Sequence, residues 1–216
     1  MKNKLLVKTF GWLFIGLLVC FVISFTCTYS PEIIRMIYGS LGGYGYLLFL
    51  GIEIILAITI SAFITKMNPL LARVLYILYT AITGLSLTGI FIVYTSSSIA
   101  FVFLATCLVF GAFCLIGHFT KMDLSKWSTY LFMALIAIVI LNIINIFVMN
   151  HTLNMFLCIV GVLLFCAYTA YDIQKIKNDD FLMDSENKSV FCAFQLFIDF
   201  INIFLDLLHL FGNTRD

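Results

Sequence analysis

Seven stretches of predominantly apolar residues follow one another along the chain, and each is long enough to cross a lipid bilayer. A membrane-spanning α-helix needs about 20 such residues. Because lipid offers no hydrogen-bonding partner to an exposed backbone, a chain with this pattern is restricted to a bundle of helices. We therefore predict an all-α integral membrane bundle of seven transmembrane helices, with spans at roughly 9–29, 43–65, 70–94, 98–119, 127–149, 152–174 and 191–211.

The composition argues against a soluble globule. Of the 216 residues, 63% are hydrophobic and 11% are charged, whereas soluble domains carry about 25% charged residues. The net charge of +1 gives no electrostatic reason to expect nucleic acid as a partner. The odd number of cysteines, seven, argues against a disulfide framework. No long polar linker divides the chain, so we interpret residues 1–216 as one transmembrane domain whose partner is the lipid bilayer.

The basic residues are distributed unevenly between the connections of the predicted bundle. One side has Arg35 and Arg215, and the other side has Lys2, Lys4, Lys8, Lys66, Arg73, Lys121, Lys126, Lys175, Lys177 and Lys188. The positive-inside rule then places the N-terminus in the cytoplasm and the C-terminus outside. The first apolar run is about twice as long as the core of a signal peptide and lacks a small-residue cleavage site, which favours an uncleaved helix. This charge pattern suits a bacterial inner membrane.

Two aspartates lie in the last two apolar stretches, where a carboxylate is costly. Asp172 closes the sixth span in the string YDIQKIK, and Asp199 lies in the seventh, in FQLFIDFINIFLDLLHLFG. A charged side chain at the centre of a membrane helix costs about 2.5–3.5 kcal/mol on insertion scales. Two carboxylates at close range do not both ionise cheaply, so we expect the pair to hold one proton in common. The sequence therefore predicts a pH-sensing pair.

Polar residues follow one face of the seventh span. At 100° per residue they fall within an arc of roughly 80°, and they are Gln195, Asp199, Asn202, Asp206 and His209. A polar stripe must face protein or water, because lipid does not satisfy it. We therefore expect the seventh helix to be central and Gln195, Asn202 and Asp206 to line a pore. The simpler alternative, a helix whose end emerges at the interface, accounts for Asp206 and His209 but not for Asp199.

A third intramembrane acid, Glu53, lies near the middle of the second span. Three acids without a basic residue inside the membrane indicate protons, metal cations or water as their partners. Arg73, at the start of the third span, is a candidate ion-pair partner of Asp172 because a long side chain can reach inward. Arg73 is equally interpreted as a plain positive-inside anchor. The acidic connection 179–186 does not have the spacing of an EF-hand, so we interpret it as a solvated loop.

The YDIQKIK end of the sixth span and the LFIDFINIFLDLLHLFG segment resemble the Bax inhibitor-1 (transmembrane Bax inhibitor motif) family. The resemblance implies a seven-helix bundle with the seventh helix central. Bacterial members of that family are understood as pH-sensitive calcium-leak channels gated by a di-aspartyl sensor. The resemblance implies that Asp172 and Asp199 are this sensor. It also implies that Glu53 is an acidic pore residue, that Arg73 is the basic partner, and that Asp172, Asp199 and Glu53 meet Ca²⁺ transiently. Asp206 and His209 depart from the family pattern.

Two other functions remain open on the sequence alone. A membrane regulator of stress or cell death without transport leaves no readable motif. An intramembrane aspartyl protease also uses two aspartates on neighbouring helices, but Asp199 lies in FIDF rather than GxGD, and no PAL motif follows. We therefore expect no enzyme and no cofactor, with calcium ions and protons as the species that the protein handles.

Overall fold

The computed structural model describes residues 2–39, 45–64, 66–178 and 187–215, and this part of the chain is helical and contains no β-strand. The prediction of a helical membrane bundle is confirmed. A π-helical turn covers Arg35–Gly39 and a 3₁₀ turn covers Leu124–Trp127. The α-helices are α1 (Lys2–Thr28), α2 (Pro31–Ile34), α3 (Gly45–Phe63), α4 (Pro69–Ser86), α5 (Thr88–Val93), α6 (Ser96–Phe119), α7 (Ser128–Val148), α8 (His151–Asn178) and α9 (Lys188–Phe211).

Six helices within the described residues are long and apolar enough to cross a membrane, with α4 and α5 together forming one of them. Within α3 the apolar stretch Leu48–Phe63 is shorter than these six, so the count of seven spans stays a prediction. The helices extend beyond several predicted spans: α1 begins at Lys2 and α8 ends at Asn178. Lysine is a good helix former, so a helix with lysines near its end continues past its apolar part.

The helix boundaries follow local capping chemistry. Asn68 accepts a hydrogen bond from the backbone N–H of Leu70, and Pro69 occupies the first position of α4. Thr95 caps α6 by accepting from the N–H of Ser98. These side chains satisfy donors that a helix N-terminus leaves without partners. The caps fix where α4 and α6 begin, and so fix the register of their side chains.

Helix α9 lies in the middle of the bundle. It packs against α1, α4, α6 and α8, and most of its side chains are buried, including Phe194, Phe197 and Leu208. By contrast α7 buries only Leu131 and Ile138 among its residues and exposes large apolar side chains on its outer surface. A polar stripe on a central helix faces neighbouring helices rather than lipid, as the sequence predicts.

The two ends of α9 are tied to different connections. Asn213 and Arg215, which follow α9, pair through their backbones with Thr95 and Val93. Asn187, which precedes α9, donates from Nδ2 to the carbonyl oxygens of Ile64 and Met67, at 2.8 and 2.9 Å. We call these the Asn213 end and the Asn187 end of the bundle. The α3–α4 connection therefore lies at the Asn187 end, and the α5–α6 connection lies at the Asn213 end.

Candidate functional site

Asp172 and Asp199 line one cavity near the Asn187 end. The cavity has a volume of about 180 Å³, and the two side chains are only 3% and 4% exposed. The lining comes from α3, α7, α8 and α9, and consists of Ser61, Leu135, Phe165, Tyr168, Asp172, Phe191, Phe194, Gln195, Ile198 and Asp199. The structure thus brings together the two acids that the sequence singles out, from two consecutive helices.

Helix register explains why these side chains converge. Gln195 and Asp199 are four residues apart on α9, a spacing that places both on the same face, and both line the cavity. Asp199 lies within hydrogen-bonding reach of the hydroxyl group of Thr169 on α8. That hydroxyl also donates to the carbonyl oxygen of Phe165, at 2.8 Å. Thr169 and Asp172 are three residues apart, so α8 presents both toward α9.

The polar atoms of this cavity are incompletely satisfied. Oδ2 of Asp199 and Oε1 of Gln195 are buried and have no hydrogen-bond partner among the described residues. A buried polar atom without a partner is unfavourable by about 1–3 kcal/mol. A proton or a cation at the carboxylates would supply what these oxygens lack. The cavity is therefore suited to bind a small positively charged species.

Several charged or titratable groups surround the acid pair. Asp172 and Asp199 interact electrostatically with each other, and Lys175 places its positive charge near Asp172. Among the described residues, thiol and phenol groups within electrostatic range of the two acids include those of Cys192 on α9, Cys114 on α6, and Cys166 and Tyr168 on α8. Lys175 is thus a basic side chain within electrostatic range of Asp172.

Arg73 lies elsewhere. It is exposed on α4, and the described residues that line the cavity do not include it. The two interpretations of Arg73, as an ion-pair partner of Asp172 and as a positive-inside anchor, both stay predictions. Lys175 is a second basic residue near Asp172, because a residue three positions further along a helix lies on the same face.

Glu53 is separated from the acid pair. Its carboxylate accepts a hydrogen bond from the hydroxyl of Ser86 on α4, and Cys20 of α1 and Tyr79 of α4 lie within electrostatic range. Ser61, which does line the cavity, lies eight residues further along α3, or about 12 Å at 1.5 Å per residue. No group of three or more His, Cys, Asp or Glu within the described residues is placed to hold a metal ion. The three predicted acids therefore do not form one metal site.

The remaining members of the α9 stripe lie beyond the cavity. Asn202 donates from Nδ2 to the carbonyl oxygen of Ile198 in its own helix, at 2.8 Å. The carboxyl group of Asp206 lies against Gly161 and hydrogen-bonds with Cys158, both on α8. Ring atom Nδ1 of His209 lies 2.8 Å from the carbonyl oxygen of Leu205. The stripe from Gln195 to Asp206 is about 16 Å long, so one small cavity does not hold all of it.

Comparison with known proteins identifies the family of this chain. Residues 2–216 match the sequence model of the family described as "Inhibitor of apoptosis-promoting Bax1". The chain belongs to the Bax inhibitor-1 family. It is 38% identical to the inner membrane protein YbhL of Escherichia coli over 215 residues, which cover 96% of this chain and 91% of the relative. It is also 36% identical over 220 residues to an uncharacterized protein of Borreliella burgdorferi, covering 100% of this chain and 94% of the relative.

A third relative in Rickettsia prowazekii is 29% identical over 221 residues, covering 99% of this chain and 91% of the relative. These matches run over nearly the whole length of each chain, so this Bax inhibitor-1 family protein shares the length of its relatives. With its six membrane-length helices, it is a multi-pass integral membrane protein. The acidic connection 179–186 lies outside the described residues, and its interpretation as a solvated loop stays a prediction.

Sequence reasoning missed three polar contributors to the site of this Bax inhibitor-1 protein. Ser61 and Tyr168 line the cavity, and Thr169 lies against Asp199. The helical spacing of Tyr168 and Thr169 from Asp172 would have placed both near it. Ser61 gave no such signal, because its position depends on how α3 is rotated against α8 and α9. A search limited to ionisable residues therefore finds the acids of this site but not the hydroxyl groups around them.

Proposed function

We propose that this protein is a pH-sensitive calcium-leak channel of a bacterial inner membrane, gated by the Asp172–Asp199 pair. The observation that carries the proposal is that two buried carboxyl groups, from α8 and α9, line one cavity with buried oxygen atoms that have no partner within the described residues. The lysines at the Asn187 end direct that end toward the cytoplasm, by the positive-inside rule.

The gate works by mutual repulsion. At acid pH one proton is held between the two carboxyl groups, so they attract each other and the Asn187 end of the bundle stays closed. As the pH rises this proton leaves, and two negative charges face each other in a site of low polarity. Two unit charges about 4 Å apart repel by about 4 kcal/mol at an effective dielectric constant of about 20. That energy shifts an equilibrium between closed and open states by up to about a thousandfold.

The permeant ion is a hard cation. Ca²⁺ prefers oxygen ligands such as carboxylate and amide oxygens, and the cavity offers the carboxylates of Asp172 and Asp199 and the amide oxygen of Gln195. The pathway continues along the stripe of α9 past Asn202 and Asp206 toward the Asn213 end. Glu53, on α3, is a separate point of contact on this pathway. Ca²⁺ therefore meets the three acids one after another rather than all at once.

The direct test is calcium entry into liposomes that contain the purified protein, followed at a series of pH values. Wild type is expected to leak little at acid pH and more as the pH rises. Asp172→Asn and Asp199→Asn are expected to remove this dependence. The control is Asp123→Asn at an exposed residue that caps the 3₁₀ turn, since asparagine is an equally good cap. If both cavity variants follow the wild-type profile, the gate lies elsewhere.

A family of inhibitors of apoptosis-promoting Bax1 favours a second candidate, a regulator of stress or cell death that transports nothing. Under this candidate, the same liposomes show no protein-dependent calcium entry at any pH, while the protein co-purifies with a membrane partner. A pH-dependent flux in liposomes that contain only this protein rejects it as the sole function. The flux experiment therefore distinguishes the two candidate functions, because liposomes that contain only the purified protein hold no partner protein.

A further inference from the structure

The cavity that holds Asp172 and Asp199 opens through the side of the bundle. Three of its lining residues are partly exposed although they lie well inside their helices, namely Gln195 and Ile198 of α9 and Leu135 of α7. They lie about 10 to 15 Å from the ends of these helices at the Asn187 end, at 1.5 Å per residue. Exposure at this depth indicates an opening toward the lipid rather than one at the end of the bundle.

The opening lies between α3 and α7. Helix α3 packs chiefly against α4, and α7 packs chiefly against α8. Each contributes one residue to the rim of the cavity, the exposed Ser61 on α3 and the partly exposed Leu135 on α7. Both helices also expose large apolar side chains, such as Ile58 and Ile136, which suit contact with acyl chains. A molecule dissolved in the bilayer therefore reaches the cavity without crossing the bundle.

The lining of the cavity combines negative charge with aromatic rings. Four of the ten lining residues are aromatic, and they are Phe165, Tyr168, Phe191 and Phe194. Cations are attracted to the faces of aromatic rings, and proteins use this attraction to recognise organic ammonium groups. A metal ion interacts mainly with the oxygen atoms of such a site, whereas an alkylammonium ion also gains from burying its methylene groups against the apolar wall.

The charge around Asp199 is the part of the site that an ammonium group would complete. The groups that act on Asp199 are the acidic carboxyl of Asp172 and the neutral hydroxyl of Thr169, whereas Lys175 places its charge near Asp172. Oδ2 of Asp199 is buried without a partner among the described residues, and the side chain is 4% exposed. An ammonium group carries several N–H donors and no acceptor, so it matches this oxygen in both charge and hydrogen bonding.

We propose that this cavity binds a single-chain alkylammonium ion that enters sideways from the bilayer, with its nitrogen at Asp199 and its chain between α3 and α7. The cavity volume of about 180 Å³ is several times the roughly 30 Å³ that one water molecule occupies, so the ammonium group and the first carbons fit inside. A phospholipid headgroup would bring its phosphate toward two acids, so the ligand is a simple amine rather than a zwitterionic lipid.

The first experiment labels the wild-type protein in phosphatidylcholine liposomes with dodecylammonium that carries a photoreactive diazirine on its chain, at one neutral pH and without calcium. Mass spectrometry then locates the labelled residues. We expect label on α3 and α7 around Ser61 and Leu135, and we expect excess unlabelled dodecylammonium to remove it. Dodecanol and dodecylphosphocholine should not compete. Label that is spread evenly over all lipid-facing helices, or that dodecanol removes equally well, would overturn the proposal.

Two variants test the two halves of the site. Asp199→Asn is expected to weaken competition by unlabelled dodecylammonium about tenfold, because a hydrogen bond to a charged group is lost. Its control is Asp123→Asn, which removes an exposed carboxylate at the same end of the bundle. An unchanged affinity in Asp199→Asn would overturn the proposal.

Leu135→Trp tests the entrance, because a larger side chain on the rim narrows the gap between α3 and α7. We expect the competable label to be lost. Ile136→Trp is the matched control, since the neighbouring side chain is 44% exposed and does not line the cavity, and it should label as wild type does. Equal labelling of the two variants would overturn the sideways entrance. If Asp199→Asn does not fold, the result for Leu135→Trp decides.

Binding of the amine does not require transport, so the inference and the proposed function fail separately. If both hold, dodecylammonium in the cavity also blocks calcium entry, and this block alone rests on the proposed function. Competable label in a protein that shows no calcium flux would reject the proposed function and support the amine site. A pH-dependent flux without competable label would reject the amine site and leave the proposed function standing.

Discussion

Two acids on the same face of α9 lie in opposite chemical situations. Asp199 faces a second carboxyl group, and one of its oxygen atoms has no partner within the described residues. Asp206, seven residues later, hydrogen-bonds with Cys158 and lies over Gly161. The residue type and the helix face are the same, so the difference comes from the neighbouring helices, which bring Asp172 to Asp199 and Cys158 to Asp206. Under the proposed function, the carboxyl group beside a second acid acts as the switch, and the carboxyl group of Asp206 does not.

The largest effect on the difference between Asp199 and Asp206 is expected when each carboxylate charge is removed in turn. With Asp199→Asn, no second negative charge forms beside Asp172, so the bundle stays closed and the alkaline flux falls by about a hundredfold. With Asp206→Asn, the hydrogen bond to Cys158 changes but no like-charge pair is lost, so the midpoint of the flux profile stays at its wild-type pH. Flux measurements in liposomes compare the two. Equal shifts of the midpoint would remove the distinction between the two acids.

The next effect concerns the space around Asp206. Gly161→Ala places a methyl group where the carboxyl of Asp206 lies, and overpacking of this kind destabilises by about 1–3 kcal/mol. Gly111→Ala is the control, because nothing lies within 4 Å of a methyl group there, and alanine favours a helix over glycine. Thermal unfolding in detergent should show a lower midpoint temperature for the first variant only. A Gly161→Ala protein as stable as wild type would mean that Asp206 is not held there.

The smallest effect is expected at Glu53, a third acid that can be compared with Asp199 and Asp206. Ser86→Ala removes the hydroxyl that donates to Glu53 and should lower stability by about 1 kcal/mol. Since Glu53 is not part of the acid pair, the pH midpoint of the flux should not move. Denaturation and flux are measured on the same preparation. A moved midpoint with unchanged stability would place Glu53 inside the gate.

Much of the fold could be predicted from the sequence because membrane helices are defined by length and apolar character. The polar stripe of α9 predicted its central position, since Asp199 has no other acceptable surroundings in a membrane. Helix ends were less predictable. Helix α8 continues to Asn178 through two lysines, and a prediction based on hydropathy ends a membrane span before such residues.

The candidate site was predictable in its acids and not in their partners. Asp172 and Asp199 were visible because an unpaired carboxylate in a membrane is costly. The electrostatic influence of Lys175 on Asp172 was not predicted, although the spacing of three residues on one helix indicated it. How the helices rotate and slide against each other decides that Glu53 is separated from the pair. It also decides which distant backbone groups bond to Gln174 and Asn187. One sequence does not contain that information in readable form.

Infrared difference spectroscopy of the protein in lipid would show whether Asp172 and Asp199 share a proton. If they do, a carbonyl stretching band of a protonated carboxyl group disappears as the pH rises, over the same range in which calcium flux appears. Asp172→Asn and Asp199→Asn should each remove that band, and Asp206→Asn should leave it. A band that persists in both Asp172→Asn and Asp199→Asn would show that the two acids do not share a proton.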